Sequence, residues 1–164
     1  MIKTESLKFF LENDKKSTRL ENRIFQNEFI SQKTDGNKIK ANGLVFYQII
    51  ISDCVFNEVD FASTSFSECY FQNCTFQNSI LKNIQVYKCY YKNCTFLKSS
   101  LNRAEFQETH FDQCSFLSSF FSSASIDNSS IRDTKFKETC TAGSLVINSQ
   151  FVKGRSSISL TGYF

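Results

Sequence analysis

The chain has 164 residues and a formal charge of +3, enough for one domain with its own core. That near-balance of charge excludes both a basic protein that coats nucleic acid and a strongly acidic one. Nineteen Phe with no Trp and no Pro, among abundant Ser, Asn, Cys and Thr, argue against a helical bundle, which favours Leu, Ala, Glu and Lys.

The first residues, Met1-Ile2-Lys3-Thr4-Glu5, carry no apolar stretch of the signal-peptide kind. No apolar run approaches the ~18 residues of a membrane helix. The expectation is a soluble protein without a cleavable secretion signal or membrane contact. Residues 4–17 read as a short amphipathic helix, with Thr4 as cap and Leu7, Phe10 and Leu11 on one apolar face. Leu20, Phe25 and Ile30 are five apart but one residue out of phase with the apolar series that starts at Phe46. Residues 18–32 are therefore expected to form an irregular first coil, with a second helix as the alternative. The polar stretch 33–43, with Asp35-Gly36-Asn37 and Asn42-Gly43, reads as a loop that absorbs the phase shift.

From Phe46 a register locks. Every fifth residue is large and apolar, from Phe46, Ile51, Phe56 and Phe61 through Leu81, Val86, Tyr91 and Leu101 to Ile131 and Phe136. Neither a helix of period 3.6 nor a plain strand of period 2 gives this pattern. The residue two before each is mostly small (Cys74, Ser79, Cys94, Ala104), and the residue two after is always polar. Each five-residue unit thus has a large and a small inward position and three outward ones, the signature of a solenoid. A second period of 20 overlies the first: Asn73-Cys74-Thr75-Phe76 returns as Asn93-Cys94-Thr95-Phe96 and as Gln113-Cys114-Ser115-Phe116.

Exceptions to the frame are few. Ile84 overfills a small position beside the undersized Val86, which keeps the local volume. Leu44, Ile49 and Val59 overfill small positions near the N-terminal end. Thr141 interrupts the large series, but Val146 and Phe151 restore its phase. Residues 156–164 alternate Ile158, Leu160 and Phe164 with smaller residues and read as a strand over the last coil.

Units such as Cys74-Thr75-Phe76-Gln77-Asn78 and Ala104-Glu105-Phe106-Gln107-Glu108 resemble the pentapeptide-repeat family, whose units run small–polar–Leu/Phe–X–X. The resemblance covers residues 44–153. It implies an all-β fold, a right-handed quadrilateral β-helix of about five coils, four units per coil, here with a short N-terminal helix. Stacked coils would place residues 20 apart at the inter-strand spacing of ~4.8 Å, with Phe56, Phe76, Phe96, Phe116 and Phe136 forming one ladder. Use of Phe for Leu, and of Cys, Ser or Thr for Ala, departs from the commonest family pattern. The domain division expected is 1–17 as helical cap, 18–43 as first coil and loop, 44–153 as β-helix, and 154–164 as a strand-like cap.

Seven cysteines raise the question of metals and disulfides. There is no C-x-x-C pair and His110 is the only histidine, so no zinc spacing exists. Six thiols fall in the small inward position and read as small buried hydrophobes. Ladder neighbours are too far apart for the ~2 Å sulfur–sulfur bond, and free thiols favour the cytoplasm. Cys140 lies off the inward positions and is the one thiol expected to react. No cofactor or metal is expected. No Ser–His–Asp arrangement or phosphate loop occurs, so catalysis has little to stand on.

Recognition through outward faces is the better prospect. The candidate partner surface is Tyr70, Tyr90 and His110 on one side, Leu97 and Leu117 on the next, and Phe120 near the following corner. The leading expectation is a non-enzymatic bacterial scaffold that binds an unidentified protein, with no direct nucleic acid contact. The alternative is the family's DNA-mimic activity, protection of a type II topoisomerase such as gyrase. Charge disfavours it: between Phe46 and Cys140 ten acidic residues face eight Lys and Arg. Family members of that kind dimerise through a C-terminal helix, and this C-terminus reads as a strand. A toxin-neutralising or host-directed effector role is a third option on which the residues are silent. An end-to-end homodimer is expected if residues 156–164 leave the last coil's edge open; light scattering of a chain ending at Lys153 tests it.

Overall fold

A computed structural model describes residues 6–13, 18–31, 36–154 and the backbone of 156–163. After one short helix the chain winds as a parallel β-solenoid with four sides per coil. Side one holds residues 45–47 and each segment 20 residues on, side two 50–52, and side three 55–57. Side four is reduced to single bridges, Lys40↔Asp60↔Ile80↔Ser100↔Phe120↔Cys140. Partners in adjacent coils are 20 apart from there on, as in Phe96↔Phe116 and Tyr91↔Phe111. The expected Phe ladder is present on side three: rings from Phe56 to Phe136 stack at 4.7–4.9 Å with interplanar angles of 15° or less.

The stretch read as an irregular coil or second helix is neither. Arg19–Glu21, Ile24–Gln26 and Phe29–Ile30 pair regularly with sides one to three of the next coil. Leu20 meets Phe46, Phe25 meets Ile51 and Ile30 meets Phe56, each 26 residues on. The register becomes 20 at Lys40↔Asp60, so the six extra residues all lie between Ile30 and Lys40. The frame is recovered inside the stretch read as loop, where Ile39 and Ala41 are fully buried.

The helix spans Leu7–Asn13 and buries Leu7, Phe10 and Leu11 as expected. Thr4 and residues 14–17 lie outside the described residues. The capping side chain seen is Ser6, whose hydroxyl accepts from Phe9 N–H (3.3 Å). Glu28 of the first coil adds what sequence alone did not show. Its carboxylate accepts from Leu7 N–H (2.7 Å), Lys8 N–H (3.0 Å) and the Ser6 hydroxyl (2.6 Å). The two N–H groups are orphan donors of the helix end, and the contact fastens the helix to the solenoid.

Among the described residues the corners are turned in the left-handed region, the non-glycine ones at φ of 46–60° from Asn22 through Asn93 to Asn148. This is the always-polar position of the repeat. Asn and Asp tolerate such φ best among side-chain-bearing residues and β-branched ones worst, and no Val, Ile or Thr occupies it. Corners from side four to side one are hydrogen-bonded turns, such as Thr64 N–H to Phe61 C=O (3.0 Å) with Ser63 at φ 57°, the form of a type II turn. Gly43 and Gly143 supply the positive φ at the two ends of that column.

Small inward positions divide by side, and hydrogen bonding is the reason. On side four, Ser99 Oγ donates toward Phe76 C=O (3.0 Å) and accepts from Ser79 N–H (3.1 Å). Ser79 and Ser119 repeat this. Cysteines play the same part on sides two and three, as where Cys69 N–H reaches Cys89 Sγ (3.4 Å). On side one the turn already satisfies that N–H, as in Ala104 N–H to Leu101 C=O (3.1 Å). A polar atom is unnecessary there, so side one admits Leu44, Ala104 and Ala124 beside the hydroxyls of Thr64 and Ser144. Ile49 and Val59 are apolar exceptions on sides two and four near the N-terminal end.

At the far end, the nine-residue strand Leu145–Lys153 continues sides one and two by pairing with residues 125–127 and 130–132. Ser156–Tyr163 then folds back antiparallel along it. The strand read over 156–164 thus covers sides one and two; Phe164 lies outside the described residues. No described helix is long and apolar enough to cross a membrane.

Six of the seven thiols are buried, and burial gives stability a pH dependence. Burial pushes the Cys54 thiol up to about 12, and it also raises Cys89, Cys94 and Tyr91. In the unfolded chain a thiol ionises near ~8.5, so above that pH the unfolded state alone releases protons. The Cys54 contribution is then whole below about pH 8 and falls by ~1.4 kcal/mol per pH unit as pH rises toward 12. Urea titrations between pH 7.5 and 10 are expected to show the decline, smaller in Cys54→Ser.

Candidate protein-binding surface

Period-2 alternation within each three-residue strand points its first and third residues outward and the middle one into the core. The 20-residue register then turns equivalent outward residues into columns. On side two the first outward column contains Tyr70, Tyr90 and His110 in direct register. The Tyr70 and Tyr90 rings stack at 5.5 Å and 11°, and His110 tilts against Tyr90 at 6.0 Å. Hydrogen bonds fix the outer atoms: Tyr90 Oη donates to Asp112 Oδ2 (3.2 Å), and His110 Nδ1 lies 2.7 Å from Ser130 Oγ. Burial and then the Asp112 carboxylate raise the Tyr90 phenol above its ordinary value. Stacking, not general-base geometry, describes His110.

Leu97 and Leu117 are paired neighbours in the second outward column of side three. Phe120 stands past the Ser118 corner on side four, 55% exposed. The fold therefore sets the six sequence-selected residues in two groups, a ring column on side two and an aliphatic–aromatic group around the corner between sides three and four. No described contact joins the groups.

Sequence reading missed two members of the side-two column. Ile50 pairs with Tyr70, and Ile24 pairs with Ile50, both exposed. The column thus runs Ile24–Ile50–Tyr70–Tyr90–His110. Ile50 stands 20 residues before Tyr70 and was legible in the frame; Ile24 was hidden by the six-residue excess. Phe29, exposed at the foot of side three, and Phe9 on the helix were missed for the same lack of register.

Among the described residues no group of His, Cys, Asp and Glu is arranged to hold a metal ion. Cys140 is exposed, and the Ser122 hydroxyl beside it (3.3 Å) holds its thiol below the ordinary value. Iodoacetamide at neutral pH is expected to label Cys140 alone in the folded protein and all seven thiols after denaturation. Labelling of a second cysteine at a comparable rate, seen by peptide mass mapping, would count against the closed ladder.

Four-sided parallel coils with one large inward residue per side define a β-solenoid of short repeats. Residues 37–106 match a family described as "Pentapeptide repeat region", and the same five-residue frame continues on both sides of that stretch. No curated protein matches the sequence. Two solved structures of QnrB1, a plasmid-mediated fluoroquinolone resistance protein, in trypsin-treated variant forms, are similar to it. One aligns with TM-score 0.59 at 18% identity, covering 80% of this chain and 70% of that one. The other aligns with TM-score 0.53 at 13% identity, covering 79% and 84%. At such identities the likeness is one of fold.

Proposed function

We propose that the protein is a non-enzymatic scaffold that binds another protein through its outward faces. The observation that carries this reading is the side-two column Ile24–Ile50–Tyr70–Tyr90–His110. Apolar and aromatic groups held in line on a rigid sheet cost little ordering entropy on binding, which favours a partner site. Free buried thiols fit a reducing compartment, so we place it in the bacterial cytoplasm. The test is capture of a partner from native-host lysate by three forms. These are the unaltered protein, Ile50→Lys with Tyr90→Lys, and Leu117→Lys with Phe120→Lys. Loss in the first double variant assigns side two; loss in the second alone moves the site to the other group. Capture unchanged in both sinks the reading.

A second reading is protection or inhibition of a type II topoisomerase, favoured by the fold shared with QnrB1. Lys82, Lys88, Lys98 and Arg103 at and beside the corners interrupt any acidic stripe, as do Lys92 and Arg132 on side two. A supercoiling assay with and without the protein decides it, since unchanged gyrase activity rules it out.

A further inference from the structure

We propose that the C-terminal end of side three docks an extended acidic segment of another protein, added as one further strand. Lys135–Lys137 is the terminal strand of the side-three sheet. On its inner edge, Cys114 C=O accepts from Lys135 N–H (3.0 Å), and Ser118 N–H donates to Lys137 C=O (2.9 Å). The equivalent groups at the end, Thr134 C=O and Glu138 N–H, have no strand beyond them among the described residues. The chain's own last strands sit elsewhere, Leu145–Lys153 on sides one and two and Ser156–Tyr163 against it.

Beside this edge is a cavity of about 500 Å³ lined by Ile131, Thr134, Lys135, Phe151, Val152 and Lys153. It arises because the chain leaves the helical path after Lys153, where Gly154 N–H bonds to Asp133 Oδ1 (2.9 Å). Among the described residues, side three of that coil is not built. Strand addition takes affinity from main-chain hydrogen bonds at an edge and specificity from pockets for alternate side chains. Edge and cavity together fit a strand with one large apolar residue pointing inward.

Charge selects the occupant. Lys135, Lys137 and Lys153 surround the edge against two carboxylates, so it keeps a net charge of +1. Asp133, which also lines the cavity, accepts from Gly154 N–H. Glu138 accepts from the Ser118 hydroxyl (2.9 Å) and pairs with Lys137 (3.9 Å). A strand with acidic residues flanking the apolar one places them over Lys135 and Lys137, whereas like charges opposite one another destabilise a pair. A second copy is the poorer occupant. Its own end strand carries the same two lysines, and its other end is covered by the helix that buries Leu7, Phe10 and Leu11. This site is distinct from the side-two column, so either reading can fail without the other.

The probe is a fluorescein-labelled octapeptide with one central phenylalanine flanked by glutamates, titrated with the full chain by fluorescence anisotropy. Saturable binding is expected, weakened roughly ten-fold by Lys135→Glu with Lys153→Glu and unaltered by Ile50→Lys with Tyr90→Lys. Amide exchange at Glu138 is expected to slow on peptide addition. Equal binding of a control peptide with lysines in place of the glutamates, no response to the charge reversal, or unchanged Glu138 exchange each overturns the proposal. Self-association that excludes the peptide, seen by sedimentation, overturns the choice of occupant.

Discussion

Replacing Phe96 with Ala is expected to lower the unfolding free energy by about 3–5 kcal/mol. Phe96 is fully buried, stacked between Phe76 (4.9 Å, 5°) and Phe116 (4.7 Å, 3°) and tilted against Tyr91. The lost ring removes transfer free energy, and the space left behind does not collapse. Backbone ladders above and below hold the coils at strand spacing, so neighbouring rings have little freedom to close in. Phe96→Leu is expected to cost less, because the remaining side chain fills most of the space and leaves a smaller cavity. Phe136→Ala, at the half-buried end of the same stack, should also cost less than Phe96→Ala. Urea denaturation followed by circular dichroism measures all three; equal losses at Phe96 and Phe136 would show that position within the stack is immaterial.

Ser99→Ala should cost about 1–3 kcal/mol although it removes one atom from a fully buried site. The substitution orphans Ser79 N–H, which has Ser99 Oγ as its acceptor at 3.1 Å, and takes a donor from Phe76 C=O. Its control is Ala124→Ser on side one, where the N–H 20 residues earlier, that of Ala104, is already paired with Leu101 C=O (3.1 Å). No gain is expected there, because the added hydroxyl replaces no missing partner. Ser99→Cys restores the pattern that sides two and three use and should recover part of the loss. If Ser99→Ala and Ala124→Ser shift the urea midpoint alike, the preference for small polar residues on side four is not a hydrogen-bonding effect.

Much of the surface logic was legible from the frame once the 20-residue register was assumed. Tyr70, Tyr90 and His110 fall in line because identical steps separate them, and the tyrosine rings do stack, with His110 tilted against them. Leu97 and Leu117 are neighbours for the same reason. Reading failed where the step was not 20. Ile24 stands 26 before Ile50, and nothing in either residue reveals that they share a column. The Glu28 cap was equally hidden, since a carboxylate reaching back 20 to 22 residues to a helix end has no local signature.

By itself the sequence determined the period, the inward residues, the four-unit coil and the burial of six thiols. Those properties follow from which side chains avoid water at a fixed repeat, a local and additive effect. Only the tertiary structure decided that residues 19–30 form a regular first coil, with all six excess residues gathered between Ile30 and Lys40. It also decided which small positions need a hydroxyl or thiol, and that the tail closes two sides of the last coil and leaves side three ending at Lys135–Lys137. Each of these depends on which backbone N–H and C=O groups find partners in the adjacent coil. That pairing is set by the path of the whole chain, and no single repeat encodes it.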